Sequence, residues 1–515
     1  MIESPEAPAT PAPAPEPAGA PPPHHRPPAV LARNVGFLAG SQLITWCASL
    51  AWALFVPRAL GASGTGVFTL SVAASGILTV LIGLGMRPLL VREIAIDRES
   101  AARLIPTAIV MRALLAVPML AVVVAFVHFG NLHGDQVLAV YLGWGVAVLY
   151  ELFEPIQAGL QAVEKMQYLA YADILTKTCV SLVSVGLVLI GFRAIGLLTL
   201  TVGVLAMVLI LHIRWMRNNF TINWKVGVND LWSLTKRSLP YLGFALFFTF
   251  YLWIDSMMLS VMTPERVLGW YGLPTKLFGT LMFVPVILST AWLPRLTAAY
   301  LKGDEALWEA ARGPLQIVVA LSLPICVGVV LVSKHLIQFL YGPDFNEAIP
   351  VMIALALCVP AMYLNIMVNQ VLIARHQQML WTKAMALACV INPVSNLFLI
   401  PYFQNTRGNG AIGAGISLLL TEVVLAAIGV AVVRGVFNRV FFDRITRAAI
   451  ATTGMGLAVL AARSFGLAPA ILVGLVVYPI LAIALRILSR EELAQLIDMV
   501  KSRKSRVVPQ PPVVD

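Results

Sequence analysis

From Asn34 onward the chain repeats one pattern, about 20 apolar residues and then a short polar break, fourteen times over. Each run is long enough to cross a hydrocarbon core of ~30 Å as a helix. The runs occupy roughly 35–57, 66–88, 104–128, 137–159, 171–191, 194–215, 238–262, 268–292, 314–334, 348–372, 380–401, 410–433, 446–465 and 469–488. Hydrophobic residues make up 59% and charged ones 12%, against roughly half and a quarter in a soluble protein. A soluble chain could not cover that much apolar surface. The expected fold is therefore an all-α integral membrane protein of about fourteen transmembrane helices. A cytosolic enzyme, a secreted disulfide scaffold and a nucleic-acid module are excluded.

The basic residues orient the runs. With the N-terminus in the cytoplasm, 28 of the 36 lysines and arginines fall in inside segments, six fall outside, and Arg112 and Lys276 lie within runs. That asymmetry obeys the positive-inside rule with both termini cytoplasmic, and the net charge of +11 is mostly this orientation signal. Eleven of the 33 prolines lie between Pro5 and Pro28, so residues 1–33 read as a disordered Pro/Ala-rich tail. His24 and His25 within it read as solvated rather than metal-binding. The expected organisation is a first lobe at 34–216, a cytoplasmic linker at 217–237, a second lobe at 238–434, a helix pair at 435–490 and a basic tail at 491–515. Short external loops leave no room for the large outer domain of a lipid-linked polymerase or ligase.

Ionisable side chains cost ~2.5–3.5 kcal/mol each at mid-membrane and so face the bundle interior or a wet cavity. The deep ones are Arg112, Glu151, Glu154, Asp255, Lys276 and Glu422. Arg112 and Glu151 sit at one depth on consecutive runs, and Asp255 and Lys276 share another, so each couple is expected to pair. Static pairs would hold helices together; pairs that rearrange would gate a polar cavity. Asn365 and Asn369 share a helix face, as do Asn392 and Asn396 around Pro393. The cysteines (Cys47, Cys179, Cys326, Cys358, Cys389) all lie in apolar runs at no ligand spacing and read as small buried residues. Gly408 to Gly413 matches GxGxxG, but without a preceding strand the match reads as close helix packing. No Walker loop, zinc spacing or nucleophile triad is present, so neither a cofactor nor enzymatic chemistry is expected.

The chain also resembles itself. The second run begins Gly66-Val-Phe with Gly76 ten residues on; the eighth begins Gly269-Trp-Tyr with Gly279 ten residues on. Several stretches resemble the bacterial oligosaccharide (O-antigen type) flippases of the multidrug/oligosaccharidyl-lipid/polysaccharide exporter superfamily. These are Asp255-Ser-Met-Met-Leu259, Leu268-Gly-Trp-Tyr271, Lys276-Leu277 and Leu293-Pro-Arg-Leu296, with Gly83-Leu-Gly85 through Glu93. Gly159-Leu-Gln161 to Tyr168, Leu340-Tyr-Gly-Pro-Asp-Phe345, and Gly410 through Glu422 complete the set. The resemblance spans roughly 34–490. It implies translocation of a polyprenyl-pyrophosphate-linked oligosaccharide across the cytoplasmic membrane for cell-surface polysaccharide synthesis. Two relatives stay open as alternatives: lipid II flippases, which carry basic residues in a first helix where this chain has none at 35–57, and twelve-helix multidrug or cation antiporters. A different class also stays open, a non-transporting scaffold that gathers glycan-assembly enzymes through the proline-rich tail.

Within the resemblance, the pyrophosphate calls for basic partners, and Arg87, Arg112 and Lys276 are the candidates, with Glu151 and Asp255 on the same cavity. Two deep cations stand against four deep carboxylates, so some carboxylates are expected to be protonated or to couple transport to an inward ion. Asp255 and Glu422 are the candidates for coupling. The expected partners are the lipid-linked oligosaccharide and membrane lipids.

Overall fold

This computed structural model describes residues 28–487, and all of their regular structure is helical. Most of the expected Pro/Ala tail and the whole basic tail at 491–515 lie outside the described residues. Helix α1 runs Pro28–Gly83, α2 Arg87–Ile96, α3 Ala101–Phe129, α4 Asp135–Ala162, α5 Met166–Leu189, α6 Ala194–Asn219 and α7 Val228–Met262. Then follow α8 Glu265–Leu281, α9 Phe283–Tyr300, α10 Asp304–Tyr341, α11 Ala348–Ala374, α12 Gln378–Arg407, α13 Gly410–Val432, α14 Arg439–Ala462 and α15 Leu467–Ala484. Among the described residues, thirteen segments are long and apolar enough to cross a membrane. The protein is a multi-pass membrane protein.

The difference from fourteen lies in α1. A straight helix of its 56 residues would be ~84 Å long, far beyond one crossing. It is two helices meeting at Gly61, whose φ of 67° and ψ of −179° form a backbone that favours glycine. The first two apolar runs are thus joined by a single-residue break rather than a loop. The eighth run shows the converse: α8 and α9 are separated only at Met282 and together form one bent segment, Glu265–Tyr300.

Two expected boundaries move. Helix α1 begins at Pro28, ahead of the boundary expected at 33, because proline is well suited to a first helical turn. The linker expected at 217–237 shrinks to residues 220–227, since α7 starts at Val228 with a polar first stretch that the apolar pattern did not reveal. Helices α14 and α15 pack on each other and against α10. The GxGxxG stretch is a packing contact: a β-carbon at Gly413 would lie 2.3 Å from the Leu399 carbonyl oxygen, which lets α13 lie against α12.

Candidate functional site

The two matched glycines meet. A β-carbon on Gly66 would lie 1.9 Å from the Glu265 carbonyl oxygen, and one on Gly269 would lie 2.0 Å from that of Ala62. Each glycine therefore touches the carbonyl one turn before the other, a reciprocal contact like that at a twofold axis. The seam between α1 and α8 closes there at backbone distance, which no side chain would permit.

Asp344 fastens one end of this seam. Its carboxylate accepts the Ala62 amide at 2.7 Å, just past the Gly61 break, where the first amides of a new helix lack intrahelical partners. The Trp270 indole donates to the Asp344 carbonyl at 3.1 Å, and Phe345 is fully buried. A second set of ties runs from α7 to α2 and α3. Arg237 of α7 reaches both oxygens of Glu93 on α2, at 2.6 and 2.7 Å, and Arg103 of α3 pairs with Asp230 of α7. These contacts join α7 to the first half of the chain.

Between α1, α7 and α8 lies a cavity of about 420 Å³. Helix α1 supplies Trp52, Phe68 and Thr69 to its wall, α7 supplies Tyr251, Trp253 and Asp255, and α8 supplies Tyr271 and Lys276. Helices α11 and α13 close it with Met362 and Leu418. Two tyrosines connect the wall to buried carboxylates. Tyr271 donates to Asp255 at 2.7 Å, and Tyr251 donates to Glu422. Asn396 completes the first pair, donating to Asp255 at 2.6 Å and to the Asn392 side-chain oxygen at 2.9 Å. Asn365 completes the second, donating to the Glu422 carboxylate at 2.7 Å. Such donors offset part of the desolvation cost of a buried carboxylate.

Lys276 is not paired with Asp255, contrary to the expectation from matched depth. Its ammonium sits 3.3 Å from the centroid of the Trp52 ring, a cation–π contact, and the residue is exposed on the cavity wall. The reason is rotational. Tyr271 takes the side of α8 toward Asp255, and five residues on, at ~100° each, the chain faces another way. Helix α8 also packs mainly on α1 and α11 rather than on its sequence neighbour α7.

Arg87, Arg112 and Glu151 are not among the residues lining this cavity. They form a separate network on α2, α3 and α4. Arg112, almost wholly buried, lies 3.1 Å from Glu151 and 2.7 Å from Glu154, and also donates to the Glu151 carbonyl at 3.0 Å. Arg87 bridges Glu154 at 3.1 Å and the Gln161 side-chain oxygen at 2.9 Å. Two cations thus offset two carboxylates. The remaining imbalance is one cation, Lys276, against Asp255 and Glu422.

Sequence reasoning missed Tyr251, Tyr271, Trp52, Trp253 and Asp344. An aromatic in an apolar run carries no mark of facing a cavity. Asp344 was read only as part of an external stretch, because its partner lies 282 residues away.

The sequence matches the profile of the polysaccharide biosynthesis protein family over residues 31–299, more than half of the chain. The chain belongs to that family. Residues 240–398 also match the MatE family profile. A curated relative, the probable low-salt glycan biosynthesis flippase Agl15 of Haloferax volcanii, is 23% identical over 384 residues, covering 72% of this chain and 76% of the relative. The fold of this family member is also that of a lipid II flippase, MurJ, in an inward closed conformation. The TM-score is 0.68 at 14% identity, covering 88% of this chain and 98% of that one. An inward-facing multidrug resistance MATE transporter aligns with a TM-score of 0.60 at 16% identity, covering 78% and 95%.

Proposed function

We propose that this protein is a flippase that carries a polyprenyl-pyrophosphate-linked oligosaccharide from the inner to the outer leaflet of the cytoplasmic membrane. Two six-helix lobes, 28–219 and 228–434, alternate access to the cavity between them, and the Arg103–Asp230 side of the molecule faces the cytoplasm. The observation that carries this reading is the cavity wall. Trp52, Trp253, Tyr251 and Tyr271 offer flat apolar faces with polar edges, suited to the C–H faces of sugars, and Thr69 and Lys276 add hydrogen-bonding and charged groups. Lys276 meets the pyrophosphate as a point charge. Arg112, with Glu151 and Arg87, positions the end of α1 rather than touching the head group. A cavity of about 420 Å³ is too small for a whole oligosaccharide, so it must widen as one end of the seam opens; the isoprenoid tail stays in the bilayer.

Asp255 and Glu422 couple the cycle to an inward ion. Asp255 lines the cavity beside Tyr271 and Glu422 reaches it through Tyr251, so a change in charge on either carboxylate alters the wall that meets substrate. One charge crossing the membrane potential supplies ~2.3 kcal/mol per 100 mV, enough to bias a cycle. The reading is tested by reconstituting the full chain in vesicles with fluorescent lipid-linked oligosaccharide and scoring leaflet exchange. Exchange that Lys276→Gln or Trp253→Ala abolishes supports it; exchange no faster than in protein-free vesicles refutes it.

A further inference from the structure

A second hollow shares no lining residue with the cavity at the seam. Its walls are apolar: Ile109 of α3, Leu152 and Ile156 of α4, and Leu209, Ile213 and Met216 of α6. Its volume of about 480 Å³ falls within the range of small-molecule sites. The residues that close it are held in place. Phe220 packs beneath, within contact of Gly159. The strap at 220–227 is pinned to the start of α3 by the Asn223 amide donating to the Ala102 carbonyl at 3.0 Å. A tight turn, with the Val226 amide donating to the Trp224 carbonyl at 3.0 Å, fixes Trp224 at the rim, where it is 57% exposed.

The mouth of this groove is cationic. Arg217 lines it, and Arg214, one turn earlier on α6, lies on the adjoining side. Both are exposed, and neither has a carboxylate partner among the described residues, unlike Arg87, Arg103, Arg112 and Arg237. Lys225 on the strap adds a third exposed cation. An apolar slot between membrane helices, capped by uncompensated arginines and an exposed tryptophan at the helix end, has the chemistry of a lipid site. Tryptophan belongs at the headgroup level, and basic pockets between helices take anionic headgroups.

We propose that the groove between α3, α4 and α6 binds one anionic phospholipid of the bilayer, its acyl chain along Ile109, Ile156 and Ile213 and its phosphate at Arg214 and Arg217. The occupant is a phospholipid rather than the isoprenoid of a transported substrate because none of the groove's lining is shared with the cavity at the seam. The inference stands apart from the transport reading, since binding is measured without transport.

The test is native mass spectrometry of the delipidated full-length protein with phosphatidylglycerol or phosphatidylcholine. Two arginines at a lipid surface confer a preference of about thirtyfold for the anionic lipid, and the Arg214→Gln/Arg217→Gln double variant should lose it. Lys302→Gln, in a basic hollow elsewhere, should keep it. Ile109→Trp, which fills the slot and leaves both arginines, should weaken binding of either lipid. Equal retention of the two lipids by the wild type, or a preference surviving in the double variant, overturns the proposal. So does displacement of phosphatidylglycerol by a lower concentration of polyprenyl phosphate, which would make the groove a berth for the substrate tail.

Discussion

Removing the Asp344 carboxylate should loosen the end of the seam at Gly61. In Asp344→Ala the buried Ala62 amide loses the side chain that caps it, at a point where the helix supplies no internal acceptor. Losing a capping side chain costs ~0.5–2 kcal/mol. Asp344 itself is solvent-exposed, which places the value in the lower half, about 1 kcal/mol. The bond exists only while α1 and the 343–345 turn are in contact, so its loss falls on the closed state alone. The closed-to-open ratio should drop about fivefold. The readout is a distance distribution between spin labels at His133→Cys and Lys334→Cys in a background without native cysteines. Wild type should be dominated by one short distance, with a longer component growing in Asp344→Ala and less so in Asp344→Asn, which keeps an acceptor. Identical distributions in all three proteins would refute the idea that Asp344 holds the seam.

Four further outcomes follow from the same geometry. Gly269→Val places a side chain 2.0 Å from the Ala62 carbonyl oxygen and should abolish exchange in vesicles, while Gly279→Ala, which meets nothing within 4 Å, should leave it intact. Arg112→Gln strands two buried carboxylates and should cost about 3–5 kcal/mol, read as a lowered unfolding temperature in detergent. Because Asp255 and Lys276 are not partners, the exchange Asp255→Lys with Lys276→Asp should rescue nothing relative to either single change in the transport assay. Hydrogen bonds from Arg103 and the Gly227 amide hold Asp230 below the usual carboxylate range. Its stabilising contribution is thus complete above ~3.9 and fades only as pH falls through the lower folded value. Labels at Glu99→Cys and Ser233→Cys should therefore keep one distance from pH 7 to pH 5.

The crossings were legible in the sequence because lipid demands an uninterrupted apolar run for each one. Run length does not say whether two runs are joined by a loop or a hinge, so the Gly61 break and the Met282 bend stayed hidden. Matched depth on consecutive runs placed Arg112 beside Glu151, where α3 and α4 pack as a hairpin. The same reasoning failed for Asp255 and Lys276, because depth fixes height along a helix and leaves its rotation and its neighbour open. The repeated Gly66 and Gly269 carried more than their spacing revealed: they mark where the two halves touch. The cavity aromatics had no signature, since a tryptophan facing lipid and one facing a cavity read alike.

If substrate crosses by parting the α1–α8 seam, a reversible lock across that seam should halt transport. A β-carbon at Gly272 would lie 3.0 Å from that of Thr69, a little inside the ~3.5–4.5 Å of disulfides, so a small separation lets Thr69→Cys and Gly272→Cys join. In vesicles holding the fluorescent lipid-linked oligosaccharide, leaflet exchange by this variant should stop on oxidation and return on reduction. Exchange continuing at the reduced rate with the seam locked would contradict the account.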